Sequence, residues 1–204
     1  MQLIPSEDEV IQLLRDTGAL RTGHFEFPNG LHSDQHLQVP IAMRHSEHAK
    51  LLSVALARKV RAHPEIRAMV RELSIVAPAT GGLPVAYGMC EALGAQQVYW
   101  AERGDSGGPL RFRPQLQPHA GEKVLLVDDI LRTGQKLTEL KHMIEAKDAS
   151  VVGLAVIVYQ PNPQTPNFGS LPFYYLAKLN AMYYMDGSSV EAKRIPGPVE
   201  RVWI

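Results

Sequence analysis

Three observations predict an α/β fold: a doubly wound, mostly parallel sheet flanked by helices. Strand-like and helix-like segments alternate through the middle of the chain. The strands over 97–101, 124–127 and 151–159 read as continuous apolar runs, the pattern of a sheet covered on both faces. Glycine-bearing turns at 79–84 and 132–134 follow two of the strands, and ligands in this class bind at the carboxyl ends of strands.

Taken in order, Ser6 and Glu9 form a capping box for a first helix with Val10, Leu13 and Leu14 on one face, stopped by Gly18. Residues 23–39 alternate turn formers with aromatics and histidines, which predicts a short hairpin or loop. Ser46 is positioned to cap a second helix carrying Leu52, Leu56 and Val60, ended by Pro64. Ser74–Pro78 reads as a buried strand and leads through Ala79-Thr-Gly-Gly-Leu-Pro84 into a helix that stops at Gly94. From Glu102 to Gly121, four glycines and three prolines predict a long loop or loose hairpin, a length that in compact domains often serves a function. A helix is predicted over 138–147, and the segment from Gly187 to Ile204 reads as an extended tail.

Composition narrows the function classes. With 204 residues, 45% of them hydrophobic and 21% charged, the chain suits one globular domain. Lys plus Arg and Asp plus Glu both number 21, so the basic excess usual for a nucleic-acid binder is missing. Cys90, the single cysteine, excludes an intrachain disulfide and reads as a small core residue. The longest apolar run, 151–158, is too short to span a bilayer, and the acidic start of the chain lacks the apolar stretch of a signal peptide. A cytoplasmic protein with small-molecule substrates, without nucleic acid or membrane as partner, is expected.

The chemistry concentrates in Val124-Leu-Leu-Val-Asp-Asp-Ile-Leu-Arg-Thr-Gly134. Asp128 and Asp129, directly after a buried strand, repel each other unless hydroxyl donors or a cation offset the charge. Ribose hydroxyls with Mg²⁺ nearby would do so. Arg132-Thr-Gly-Gln-Lys136 opens a helix, whose unpaired N–H groups and positive dipole end suit a phosphate. Thr133 adds a hydroxyl, and Gly134 permits close backbone approach. A carboxylate pair beside an amide nest is a sugar-phosphate site. His24, His32 and His36 with Asp34 are irregularly spaced for a metal site, and Tyr99, Trp100 and 173–175 read as strand packing.

The eleven-residue string resembles the 5-phosphoribosyl-1-pyrophosphate (PRPP) motif of type I phosphoribosyltransferases. Four further segments, in the same order, resemble the orotate phosphoribosyltransferase branch: 23–34 its amino-terminal substrate loop, Val76–Gly82 its pyrophosphate loop, Ala101-Glu-Arg103 the start of its mobile loop, and 118–127 the run into the PRPP motif. The resemblance implies transfer of a 5-phosphoribosyl group from PRPP to orotate with release of pyrophosphate. It implies that Asp128 and Asp129 hold the ribose hydroxyls and that Ile130, Leu131, Arg132, Thr133, Gly134, Gln135 and Lys136 cradle the 5-phosphate. Thr80, Gly81, Gly82 and Arg103 with Mg²⁺ would then hold the pyrophosphate, Asp128 and Asp129 meeting the metal directly or through PRPP and water. Asn29, Arg132 and Gln160 are the implied base contacts. A single domain with a hood from about 1–45 and 170–204 and a homodimer are also implied.

The chain departs from the family pattern at named positions. No lysine lies between Arg103 and Lys123, where the family's mobile loop carries catalytic lysines, leaving Arg111, Arg113 and His119 as its cations. Pro28 stands where a basic residue is common, and Arg132 where the family has threonine. Tyr159-Gln160-Pro161 replaces the arginine that meets the substrate carboxylate. Three readings of Arg132 stand open: it supplies that charge from across the pocket, it faces phosphate or solvent, or the acceptor is another base. A PRPP-binding protein without catalysis is the further alternative.

Overall fold

A computed structural model describes residues 4–104, 107–161, 165–184 and 194–202. Two sheets carry the architecture. The larger is built from β3 (Leu73–Pro78), β4 (Gln97–Gly104), β5 (Gly107–Phe112), β6 (Lys123–Leu131), β7 (Ser150–Tyr159) and β8 (Phe173–Lys178), in the order β5-β4-β3-β6-β7-β8. Every neighbouring pair in it is parallel except β4 with β5. The smaller has the order β10-β1-β2-β9, from β1 (Leu20–Glu26), β2 (His32–Leu37), β9 (Tyr183–Tyr184) and β10 (Val199–Arg201).

The continuous apolar runs are explained by two cores, one on each face of the larger sheet. Leu125, Val127, Ala155 and Ile157 pack on one side, with α3 (Ser46–Arg61) and α5 (Gly82–Leu93). Val124, Leu126, Leu154 and Val156 pack on the other, with Leu137, Leu140 and Ile144 of α6 (Gln135–Glu145). Successive strand residues face opposite ways, so a doubly covered strand must be apolar at every position. Where α3 meets α5 the fit is close: a Cβ on Gly88 would fall 2.8 Å from Ser53 Cβ.

Local signals hold where chemistry is local. Ser6 and Glu9 make both bonds of the capping box on α1 (Glu7–Asp16), and Gly94 closes α5 in the left-handed region. Ser46 does not cap. It is the first residue of α3, and His45 before it occupies the cap position without a side-chain bond. Pro64 opens a short helix, α4 (Pro64–Met69), because proline fits a first turn whose N–H needs no partner. α6 starts at Gln135, three residues earlier than predicted, and α2 (Val39–Met43) follows β2. The stretch from Glu102 is a hairpin: β4 runs on to Gly104 and β5 returns along it. The predicted tail falls partly outside the described residues, at 187–193 and 203–204; within it, Val199–Arg201 forms the edge strand β10 along β1.

The chain places β4 and β5 on one side of β3 and β6, β7 and β8 on the other. The order reverses between β3 and β6, so the loops leaving their carboxyl ends diverge there. That divergence opens a crevice, and it lies between the Ala79–Gly82 turn and the Asp128–Gly134 segment.

Candidate active site

The carboxylate pair lies inside β6, not after it. The ladder with β7 continues through Asp128↔Val156 to Leu131↔Tyr159, past the point where the apolar run ends. Asp128 is consequently buried, at 4% exposure, and Asp129 half-buried. Burial first, then the neighbouring charge of Asp129, raise the Asp128 carboxyl well above the usual carboxylate range, while Lys136 acts in the opposite direction.

Both carboxylates face the β3 turn. A Cβ on Gly81 would lie 2.9 Å from Asp129 Oδ2, and one on Gly82 would lie 3.2 Å from Asp128 Oδ1 and 3.0 Å from Ala77 Cβ. Only glycine lets this turn approach the acids. Its backbone therefore packs closely against the two carboxylates at the switch point.

The start of α6 follows directly. Gly134 adopts φ 68 as the cap of α6, and no side chain caps that helix. The first N–H groups of such a helix lie at its positive dipole end, where anions are favoured; here Gln135 N donates to Thr133 Oγ1 at 3.4 Å. Thr133 and Gln135 are exposed beside it. One feature here had no sequence signal: Pro166 covers Gly134, its Cδ 2.7 Å from where a Cβ would stand, and Thr165 Oγ1 donates to the Arg132 carbonyl. A cleft of about 750 Å³ runs from this turn toward the β4–β5 hairpin, lined by Arg103, Thr133, Gln135, Thr138, Glu139 and Pro166 among others.

Arg103 is on the exposed end of β4. Its Nη2 donates to Glu139 Oε2 at 2.9 Å, its Nη1 donates to the Gly108 carbonyl, and Glu139 Oε1 accepts from Leu110 N at 2.5 Å. Glu139 thus latches hairpin and arginine to α6. Glu102 pairs with Arg113 at 2.7 Å. A partly exposed pair contributes less than about 1 kcal/mol. Glu139→Ala is accordingly expected to speed amide hydrogen exchange across 107–112 while shifting the unfolding midpoint by only a few degrees, about the thermal equivalent of that energy. Unchanged exchange would show that the latch does not hold the hairpin.

The base-contact candidates divide. Arg132 Nε donates to Gln160 Oε1 at 2.7 Å, so these two meet. Asn29 is at the exposed β1–β2 tip, where its Oδ1 accepts from Leu31 N. Leu37, which contacts Arg132, ends β2, so the length of that strand, roughly 20 Å, separates Asn29 from the pair. His24 Nε2 and His32 Nδ1 bond each other at 2.8 Å.

A carboxylate pair with one member buried, a glycine turn packed against it and a helix start without a side-chain cap lie together on a doubly wound sheet. Residues 55–167 match the phosphoribosyl transferase domain family. Relatives named orotate phosphoribosyltransferase include one from Carboxydothermus hydrogenoformans, 32% identical over 177 residues that cover 87% of each chain. Another, from Erythrobacter litoralis, is 32% identical over 192 residues, 94% of this chain and 95% of the relative. Among solved structures, orotate phosphoribosyltransferase from Mycobacterium tuberculosis, in complex with inorganic phosphate, has a TM-score of 0.60 at 19% identity, covering 84% of this chain and 95% of that one. The chain belongs to the phosphoribosyltransferase family, in its type I class and orotate branch.

Proposed function

We propose that the protein transfers the 5-phosphoribosyl group of PRPP to orotate, giving orotidine 5′-phosphate and pyrophosphate in pyrimidine nucleotide synthesis. The observation that carries this reading is the pair Asp128–Asp129 facing the Gly81–Gly82 turn across the switch point. A ring nitrogen of orotate forms a bond to C1′ of the ribose. The bond from C1′ to the pyrophosphate oxygen breaks, its electron pair leaves with pyrophosphate, and the nitrogen's proton passes to solvent.

Asp128 and Asp129 accept hydrogen bonds from the ribose 2′- and 3′-hydroxyls and fix C1′. Residues 130–136 cradle the 5-phosphate, chiefly through the backbone at the start of α6, and backbone N–H groups of Thr80, Gly81 and Gly82 hold the pyrophosphate. Such fixed dipoles stabilise charge as it develops without reorganising. Arg103 joins them after release from Glu139. The acid pair also suits Mg²⁺ carried in by PRPP: two adjacent carboxylates, one buried, gain most from a hard cation close by. Bound there, Mg²⁺ would neutralise the leaving pyrophosphate. Within the same proposal the smaller sheet acts as a hood over the base, the 102–113 hairpin closes over a partner subunit's site in a homodimer, and the enzyme works in the cytoplasm on small molecules alone.

The test mixes the protein with PRPP, Mg²⁺ and orotate. Loss of orotate absorbance with equimolar pyrophosphate release is expected. Turnover only with another base would overturn the acceptor. The lysine-free hairpin favours one competing reading, a PRPP-binding protein without catalysis; binding of PRPP without turnover of any base would establish it.

A further inference from the structure

One carboxylate joins the β4–β5 hairpin to α6. Glu139 Oε2 accepts from Arg103 Nη2 at 2.9 Å, and Glu139 Oε1 accepts from Leu110 N at 2.5 Å. A guanidinium and a backbone N–H directed at a single two-oxygen anion are also the donors that a phosphoryl group takes. Arg103 Nη1 donates to the Gly108 carbonyl, so the hairpin backbone holds the guanidinium in place. Glu139 therefore fills a small anion receptor that the hairpin carries.

That receptor lies close to the glycine turn. Ala79 N, where the turn begins, donates to the Ala101 carbonyl at 2.8 Å, and Arg103 follows Ala101 by two residues, roughly 7 Å along β4. Glu139 shares one face of α6 with Gln135 at the helix start, one turn away. Both line the cleft of about 750 Å³ together with Arg103. An anion at the turn and the Glu139 carboxylate thus draw on one guanidinium.

The strength of the contact suits exchange. The Arg103 and Glu139 side chains are 34% and 24% exposed, so water screens the pair in part. Such a pair shifts an equilibrium by roughly two- to five-fold. Glu139 offers one negative charge, whereas pyrophosphate offers several. Pyrophosphate displaces the carboxylate when present, and the carboxylate returns when it leaves. By linkage the cost is mutual: the factor by which pyrophosphate opens the latch is the factor by which the latch weakens pyrophosphate.

We propose that Glu139 is a positioning residue that competes with pyrophosphate for Arg103, so that the leaving group binds by displacing this carboxylate and departs as it returns. This rests on the proposed reaction only in assigning Arg103 to pyrophosphate, and its test needs no turnover. Dissociation constants of pyrophosphate and of ribose 5-phosphate are measured by calorimetry on the full chain with Mg²⁺, for wild type, Glu139→Gln, Arg103→Ala and the double variant. Ribose 5-phosphate keeps the 5-phosphate and lacks the group that Arg103 would meet.

Glu139→Gln keeps the shape of the side chain and removes its charge. It should bind pyrophosphate roughly two- to five-fold more tightly than the wild type, with ribose 5-phosphate bound as before. In the Arg103→Ala background the same substitution should change neither constant, because the group competed for is gone. Weaker or unchanged pyrophosphate binding in Glu139→Gln would mark a merely structural tie and overturn the inference. Equal tightening of both ligands, or tightening that persists without Arg103, would mark a general effect of the lost charge and overturn it as well. So would absence of pyrophosphate binding in the wild type. A selective gain that depends on Arg103, in a protein that turns over no base, would sink the proposed reaction and leave the competition standing.

Discussion

Asp128→Asn is expected to lose catalysis while making the unliganded protein more stable, and the gain should grow with pH. The substitution is nearly isosteric. The amide oxygen can still accept from Asp129 N, as Asp128 Oδ1 does at 2.9 Å. What it removes is a buried charge beside a second carboxylate, the arrangement that raises the Asp128 carboxyl well above its usual range. An acid whose pKa is higher folded than unfolded binds protons better in the folded state, so stability falls as pH rises. Below about 3.9, the ordinary aspartate value, both states are protonated and nothing is lost. Between that value and the raised one, the unfolded chain gives up a proton that the folded chain keeps. Above both, the full penalty is present.

The midpoint difference between Asp128→Asn and wild type should therefore be near zero at pH 4 and largest at pH 8, read by thermal unfolding. Turnover should fall by at least about 100-fold, because charge-assisted bonds to the ribose are lost where the reacting carbon must be fixed. A variant that is less stable at pH 8 would show that this acid carries no strain, and one that keeps wild-type turnover would show that it carries no function. Stabilisation with inactivity is the usual exchange at a site that places like charges together for a ligand.

Much of this was legible in the sequence, for reasons particular residues make clear. Val124 to Val127 announced a doubly covered strand because all four positions are apolar, and the structure packs them alternately into two cores. Ser6 and Glu9 could be paired from spacing alone, since their bonds span three residues. Ser46 failed by the same kind of rule: nothing local distinguishes a cap from a first helical residue. The end of β6 was placed too early because Asp128 breaks the apolar pattern, although the ladder with β7 carries on. The partners of the site residues were beyond reach altogether. Leu37 lies 95 residues from Arg132, and Glu139 lies 36 from Arg103. Neither contact leaves a local pattern, and the carbonyl of Leu37 would serve equally well from any residue type.

Gly134→Ala is expected to damage the phosphate turn and the fold together, and the two causes can be separated. Gly134 has φ 68, which an L-residue adopts at a cost of about 1–2 kcal/mol. A Cβ there would also meet Pro166 Cδ at 2.7 Å, Pro166 Cγ at 3.0 Å and Phe168 Cζ at 3.2 Å. The first two belong to a rigid ring, so the Thr165–Phe168 segment must shift, an overpacking cost of about 1–3 kcal/mol. Pro166→Ala removes those two atoms and leaves the backbone requirement in place. The double variant should therefore recover part of the stability lost in Gly134→Ala but not all of it, and the cycle reads the steric contribution directly. PRPP affinity should not return with it, because the amides of the turn can converge on the 5-phosphate only while residue 134 stays left-handed. Full recovery of both stability and PRPP affinity in the double variant would show that Pro166 alone dictates glycine here. The phosphate would then have to be held by something other than the backbone geometry at the start of α6.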